Sequence, residues 1–565
     1  MLGIGAWDWM TLILYFMIVT AAGLWTALKV KDTADFFIAG RRFGKVFMVF
    51  FSFGVGTSGN DAVAVSSKTY TNGMSGIWYQ WLWLFATPFY WLIAPVFRRM
   101  RAVTTGDFFE YRYNKATAAL YSFVGVLQLT LNIGVLLLGV GSTITAVSGG
   151  SIPTLWAILS MTVIFVLYGV AGGLGAAIVT DLLQGVLTIV LSFIILPFAW
   201  RAVGGMEGLR AGITNPDMFS LVAPGEINKF HVFMFALNAL IGIATQPHIM
   251  GVCAAGQDEM DGRVGFTGGN LLKRVCTVAW MLTGLCGVVY LADRSSINPD
   301  LVFGSMARDL LPKVMPGLVG LFLASLLASI MSSCDGLMVS SSGLFTQNIY
   351  RAIFVGNRDE RHYVFVGRIA SVVIVATAIL FARSFRDVPT ALEWFFRLQA
   401  VMGPAFWLGL FWRRTTVAGA WAGTLTAFGL VILTSRGCFH QWAAGHLPEF
   451  MIWNGQFRVS WQMLTYLCSG FSACVLVSLF SPRVAKSRLD RIYACLRTPV
   501  QPNEPHREPF TLPEGLEAAP VRKLLPHPDW EIPMPTLVSV AGFAVTWAIV
   551  IGMIGFVYWL AGWGG

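Results

Sequence analysis

Between Leu318 and Gly343 lies a stretch apolar enough to cross a membrane, yet it carries Ser329, Ser332, Ser333, Asp335, Ser340, Ser341 and Ser342. A carboxylate at the centre of a bilayer costs about 2.5–3.5 kcal/mol on insertion scales, so Asp335 should face a partner or a wet path rather than lipid. Hydroxyls and carboxylates are hard oxygen donors, suited to small hard cations. The chemistry on offer is cation binding. A second polar cluster interrupts the apolar segment 45–66, where Gly54, Gly56 and Gly59 sit among Thr57, Ser58, Asn60 and Asp61. A third interrupts 230–254 with Asn238, Gly242, Thr245, Gln246, Pro247 and His248. Glycine weakens a helix by roughly 1 kcal/mol relative to alanine, and proline removes a donor and blocks the preceding turn. Backbone carbonyls come free at such breaks.

The elements that must hold these clusters are membrane helices. Hydrophobic residues make up 56% of the chain and charged residues 12%, about half the charged share of a soluble domain. Spans of about 20 residues predict about fourteen helices, at 8–28, 45–66, 75–97, 117–147, 152–171, 176–200, 230–254, 267–292, 315–343, 363–385, 388–411, 415–434, 459–481 and 535–561. No small-residue cleavage site follows the first span, which reads as a retained helix. Basic residues gather in odd-numbered connections: Lys29, Lys31, Arg41, Arg42 and Lys45; Arg98, Arg99, Arg101, Arg112 and Lys115; Arg351, Arg358 and Arg361; Arg413 and Arg414; Arg483, Lys486, Arg488 and Arg491. The positive-inside rule puts these loops in the cytoplasm and both termini outside a cell membrane crossed many times. The net charge of +10 is explained by those loops without nucleic acid. The eight cysteines form no CxxC pair and the seven histidines are dispersed, so zinc, disulfide and hydrolase patterns are missing. The chain does not read as an enzyme. Residues 482–534, rich in Pro, Arg and Glu, read as a largely extended cytoplasmic linker before an appended helix.

The two interrupted helices stand five apart. Carriers built from inverted repeats place discontinuous helices at corresponding points, with solute and ion near the midplane. A repeat of five helices has odd parity, so its second copy is inverted. The competing reading is that the glycines only let helices pack closely.

Four motifs then carry a family resemblance: Asp35–Gly44 (DFFIAGRRFG), Tyr168–Gln184 (YGVAGGLGAAIVTDLLQ), Ser332–Ser333 through Ile349–Arg351, and Gln399–Pro404 with Phe411–Arg414. They resemble the sodium:solute symporter family, from about residue 10 to 480. The resemblance implies an all-α LeuT-type fold with a five-plus-five inverted-repeat core and alternating access driven by sodium. Its parts would be an extra helix and loop (1–44), the first repeat (45–200), an outer loop (201–229), the second repeat (230–411), two added helices (412–481), the linker (482–534) and a final helix (535–565). By motif position, the coupling Na+ would meet Gly54 and Ser329 through carbonyls, Thr57 through its carbonyl or hydroxyl, and Ser332 and Ser333 through hydroxyls. Asp181 matches an acidic position used around a second sodium, or caps a helix. Asp335 departs from the hydroxyl common at its position; it would strengthen a second cation site, take a proton or pair with a base.

The solute should touch Asn60, Asp61, Gln80, Asn238, Lys273 and Gln399. Asn238, Lys273 and Gln399 resemble a sugar-site pattern, while Gln80 and Asp61 depart from it. Asp61 and Lys273 could neutralise each other or hold a zwitterion, and Lys273 could instead snorkel to the interface. His248 reads as a hydrogen-bonding residue at the helix break or as a proton relay. The expectation is a sodium-coupled importer of a sugar or polyol. An amino acid, a monocarboxylate, proton coupling and a solute sensor are the alternatives. The sequence is silent on oligomeric state.

Overall fold

The computed structural model describes residues 5–27, 43–223, 225–294, 297–356, 358–385, 387–501, 504 and 508–563; the side chains at 23–24, 26–27, 164–165, 167–177 and 294 fall outside that description. Lys29, Lys31, Arg41, Arg42, most of the motif at 35–44 and the first part of the motif at 168–184 are therefore beyond it. The helices that frame the site are α1 (Ala6–Ala27), α2 (Lys45–Gly56), α3 (Gly59–Asn72), α4 (Thr87–Arg99), α5 (Lys115–Val147), α6 (Thr154–Phe193), α7 (Lys229–Ile243), α8 (His248–Ala254), α9 (Glu259–Tyr290), α10 (Leu318–Leu344), α11 (Glu360–Ala382), α12 (Val388–Gln399), α13 (Gly403–Phe411), α14 (Val417–Thr434), α15 (Val459–Phe480), α16 (Lys486–Arg497) and α17 (Leu537–Gly562).

Among the described residues eight helices are long and apolar enough to cross a membrane, or nine when the bent pair α7 and α8 counts as one span. That is fewer than the fourteen expected, for a physical reason. Several expected spans are broken into pieces too short to qualify. The segment 45–66 stops at Gly56, passes through extended backbone at Thr57 and Ser58, and restarts at Gly59. The restart is a capping box, with Asp61 Oδ2 accepting from Ser58 N at 2.9 Å. The segment 75–97 divides between Trp78–Trp81 and α4, which opens on Pro88. The segment 388–411 divides at 400–402, and α13 opens on Gly403-Pro404. At the Pro247 break, α7 and α8 bend by 69°. Carbonyls released there find side-chain donors: Tyr121 Oη to Thr245 O at 2.7 Å and Thr245 Oγ1 to Gln399 O at 2.6 Å.

Two observations fix the path of the chain. Gln257 N donates to Phe43 O at 3.1 Å and Phe43 pairs with Gly256, so α2 leaves the face at which α8 arrives. The two broken helices therefore run in opposite senses, as an inverted pair requires. The backbone of α6 is helical through the stretch where hydropathy places a boundary between two spans. Thr154 lies against Thr145 at the end of α5, and the helix Leu196–Ala202 that follows α6 packs on Val302–Leu310, which also packs on that end of α5. A straight run of 40 residues would separate these ends by about 60 Å; α6 must double back on itself.

Burial ranks the helices. In α10, 89% of the apolar window is buried inside the protein, against 17% in α17. The serine-bearing helix is central and the last one peripheral, seated on α4 where Gly542 meets Trp91. The segment 482–534 departs from the loose linker expected of it. It contains α16 and then docks on the face that bears the basic loops. Glu504 pairs with Arg101, and Glu531 pairs with Arg413 at 2.5 Å and Lys523 at 2.9 Å. Phe510 N donates to Met100 O at 3.0 Å and Glu531 N to Phe411 O at 2.8 Å. Pro-rich composition carried no sign that two buried carboxylates would anchor the segment to arginines far away in sequence.

Candidate functional site

The break between α2 and α3 meets the middle of α10. Ser333 Oγ lies 2.8 Å from Gly54 O, 3.2 Å from Thr57 O and 3.2 Å from Ser329 O. Three carbonyls and one hydroxyl thus converge where two helices leave their own hydrogen-bond ladders. Thr57 Oγ1 is buried beside them without a partner among the described residues. Ser329 contributes its carbonyl because its hydroxyl is engaged elsewhere, accepting from Gly59 N at 2.8 Å and donating to Leu326 O at 2.8 Å. The shell is neutral, compact and made of hard oxygens, which fits a monovalent cation that must also be released. No group of three His, Cys, Asp or Glu side chains among the described residues offers a chelating alternative. Close approach demands glycine at position 54: a Cβ there would lie 2.2 Å from Ser332 Oγ.

Ser332 turns the other way. Its hydroxyl donates to Asp181 Oδ1 at 2.5 Å, while Asp181 Oδ2 is buried without a hydrogen-bond partner among the described residues. Asp335, one turn further along α10, is fully buried and near enough to Asp181 to repel it. Tyr15 of α1 joins α6 and α10, its hydroxyl accepting from Gln184 Nε2 at 3.2 Å and donating to Met331 Sδ at 3.7 Å. Nothing in the sequence marked Tyr15, since α1 reads as an ordinary apolar span. Ser341 and Ser342 bond back to Met338 O and Val339 O at 3.0 Å and take no part.

On the other side of the break is a cavity of about 80 Å³. Four of the six expected solute residues line it: Asn60, Asp61, Gln80 and Lys273. Asp61 and Lys273, each 6% exposed, form an ion pair at 2.9 Å. Asp61 Oδ1 accepts from Gln80 Nε2 at 2.6 Å, and Lys273 Nζ also donates to Gly56 O. Lys273 therefore does not snorkel. The remaining two stand behind the wall. Asn238 donates to Phe396 O at 2.7 Å and accepts from Tyr466 Oη at 2.5 Å, and Gln399 Oε1 accepts from Gln246 Nε2 at 2.9 Å. The wall also holds residues that were not marked, namely Tyr90, Asn132, Asn270 and Arg274, together with His248, whose Nδ1 is buried without a partner among the described residues. Trp83 lies under both cations, with Lys273 Nζ 5.6 Å and Arg274 Cζ 5.9 Å from its ring. Ser333 lines the cavity too, so one hydroxyl belongs to both the carbonyl cluster and the cavity wall.

The profile of the sodium:solute symporter family matches residues 36–427. The sodium/glucose cotransporter of Vibrio parahaemolyticus is 25% identical over 463 residues, covering 75% of this chain and 84% of that protein. The high-affinity proline transporter of Bacillus subtilis is 24% identical over 452 residues, covering 76% and 90%. The sodium/pantothenate symporter of Haemophilus influenzae is 27% identical over 359 residues, covering 61% and 72%. Among solved structures, a substrate-bound, outward-open Na+-coupled sialic acid symporter superposes with a TM-score of 0.71 at 17% identity, covering 85% of this chain and 99% of that one. The shared fold is the LeuT-type architecture.

Proposed function

The chain belongs to the sodium:solute symporter family, a family of carriers rather than enzymes that couple solute movement to sodium, and on that premise we propose how it works. Sodium enters as cargo at Gly54 O, Thr57, Ser329 O and Ser333 Oγ, with Ser332 linking this shell to Asp181. A small polar organic solute occupies the cavity lined by Asn60, Asp61, Gln80, Lys273 and His248. The observation that carries the reading is the position of Ser333, within 2.8–3.2 Å of three carbonyls and on the cavity wall at once. Alternating access then opens the cavity to one side at a time, with the repeats 45–200 and 230–411 as the moving halves. Asp181 and Asp335 form a second cation site. Fourteen spans with both termini outside remain the topology that best accounts for the basic loops. The sequence-based preference for a sugar or polyol rests on three residues, two of which the fold engages behind the wall; the charged lining supports an ionic solute instead.

Uptake into proteoliposomes tests the coupling. An imposed inward sodium gradient should drive accumulation, and Ser333→Ala should raise the sodium concentration for half-maximal uptake. Accumulation that ignores sodium and follows a pH gradient would overturn sodium coupling and transfer the driving role to the Asp181–Asp335 pair.

A further inference from the structure

We infer that the solute carries a carboxylate or a similarly compact anionic group, and that Arg274 is the residue that holds it. The inference rests on the cavity being the transport site and supplies the chemical class of what enters. Three side chains on the wall bear full charges: Asp61, Lys273 and Arg274. Asp61 is used up. Its Oδ1 accepts from Gln80 Nε2 at 2.6 Å, and its Oδ2 accepts from Lys273 Nζ and from Ser58 N, both at 2.9 Å. The pair Asp61–Lys273 is a closed unit of zero net charge.

Arg274 is what remains. It is 1% exposed, and a guanidinium stays protonated wherever it is buried. Its bonds all go to neutral groups: Nη1 to Gln80 O at 2.9 Å and Nη2 to Asn270 Oδ1 at 3.3 Å. Its Nε is buried with no partner among the described residues. No carboxylate among them lies within ion-pair distance, and Trp83 beneath supplies only a ring face. A buried charge without a counter-charge is strongly unfavourable. A guanidinium is also the group whose planar fork best matches a carboxylate. The cavity is thus one negative charge short.

The other solute classes fit less well on the same geometry. A neutral sugar or polyol leaves the Arg274 charge uncompensated. A zwitterion brings an ammonium that needs an acidic acceptor, and the charge of Asp61 is already neutralised by Lys273. An anion meets the need directly. Around it, the amide of Asn60, Gln80 Oε1 and His248 Nδ1, all buried and unpartnered among the described residues, offer places for a hydroxyl or carbonyl beside the carboxylate. Sodium held at the adjacent break adds attraction for the same anion, so each should tighten the other.

The test measures solute-induced thermal shifts of the full chain in lipid nanodiscs, with and without sodium. The probes are propionate, lactate and gluconate against glucose, myo-inositol and proline. At least one carboxylate should stabilise the protein and none of the neutral or zwitterionic probes should. Arg274→Gln should weaken the effective carboxylate at least tenfold, and Arg274→Lys, which keeps the charge, should recover part of that loss. Stabilisation by glucose, myo-inositol or proline with no response to any carboxylate overturns the inference while leaving sodium-coupled transport intact. Equal carboxylate affinity in wild type and Arg274→Gln overturns the role of Arg274. Carboxylate binding that is indifferent to sodium upholds the solute class and overturns the coupling reading instead.

Discussion

The ion pair between Asp61 and Lys273 allows a prediction with a built-in asymmetry. Both groups are buried, and removing one partner of such a pair costs about 3–5 kcal/mol, because the other is left charged and unpaired. The two ends differ in what they keep. When Lys273→Gln removes the ammonium, Asp61 still accepts from Gln80 Nε2 and Ser58 N. Hydrogen bonds to a charged group contribute about 1.5–3 kcal/mol, so the loss should fall near the low end, about 3 kcal/mol. When Asp61→Asn removes the carboxylate, Lys273 keeps only neutral partners, namely the Gly56 carbonyl, the Trp83 ring and the new amide oxygen. That loss should approach about 5 kcal/mol. Combined, the two substitutions remove both charges and leave amides that can bond each other, so the double variant should lie within about 1 kcal/mol of wild type. The assay is equilibrium unfolding in mixed micelles titrated with SDS, run on all four proteins. Additive losses in the double variant would refute the pairing. Equal losses in the two single variants would refute the unequal support drawn from the geometry.

Four further outcomes follow from particular contacts. Ser333→Ala should raise the sodium concentration for half-maximal uptake at least tenfold, whereas Ser342→Ala, which loses only a bond to Val339 O, should change it less than about twofold. Gly54→Ala places a Cβ 2.2 Å from Ser332 Oγ; sodium-driven uptake should fall at least tenfold with protein expression maintained, measured on the same vesicles. Glu531→Gln weakens the pairs with Arg413 and Lys523 and should cost about 1.5–3 kcal/mol of local stability, read as faster tryptic cleavage between residues 486 and 534. In the loop 201–229, burial works to raise the Glu226 carboxyl, yet Lys68 at 2.8 Å and the Asn72 amide hold it below its ordinary value. A carboxyl lowered on folding stabilises the protein above its unfolded pKa, and that stability is lost as pH falls through the lowered value. The melting temperature of wild type should therefore drop between about pH 5 and pH 3 by more than that of Lys68→Met.

How far the residues foretold this arrangement depends on what kind of signal each left. The break at Gly54–Gly59 and the break at Pro247 were legible because glycine, proline and dense polar groups in an apolar run admit few other readings. Ser329, Ser332 and Ser333 stood out for the same reason. The number of full-length spans was not, since hydropathy averages over interruptions such as 82–86 and 400–402 that hydrogen bonding divides. Asn238 and Gln399 looked like solute ligands by type and depth, yet Tyr466 of α15 and Gln246 at the α7–α8 break engage them, contacts that no spacing encodes. Arg274 was passed over for a related reason. Its neighbour Lys273 had an evident partner in Asp61, and the fold adds that no carboxylate among the described residues pairs with Arg274. Tyr15 left no trace at all, because its role depends wholly on where α1 packs.

On the sodium and solute sites proposed above, coupling would follow from the two sides of the α2–α3 break. Thr57 O faces the α10 serines, and from Ser58 onward the restarted helix presents Asn60 and Asp61 to the cavity. Moving α10 away from the break would pull Ser333 from Gly54 O and Thr57 O and at the same time remove Ser333 and Leu337 from the cavity wall. Neither ligand can therefore lose its site without disturbing the other. A cation bridging α2 and α10 restrains that movement, and a solute filling the cavity restrains it too. By linkage the two must then strengthen each other by the same factor. On this geometry Ser333→Ala should reduce the sodium-dependent gain in solute affinity and the solute-dependent gain in sodium affinity equally. Gains as large in Ser333→Ala as in wild type, measured by titrating each ligand at fixed levels of the other, would mean that the two sites communicate by a route other than this hydroxyl.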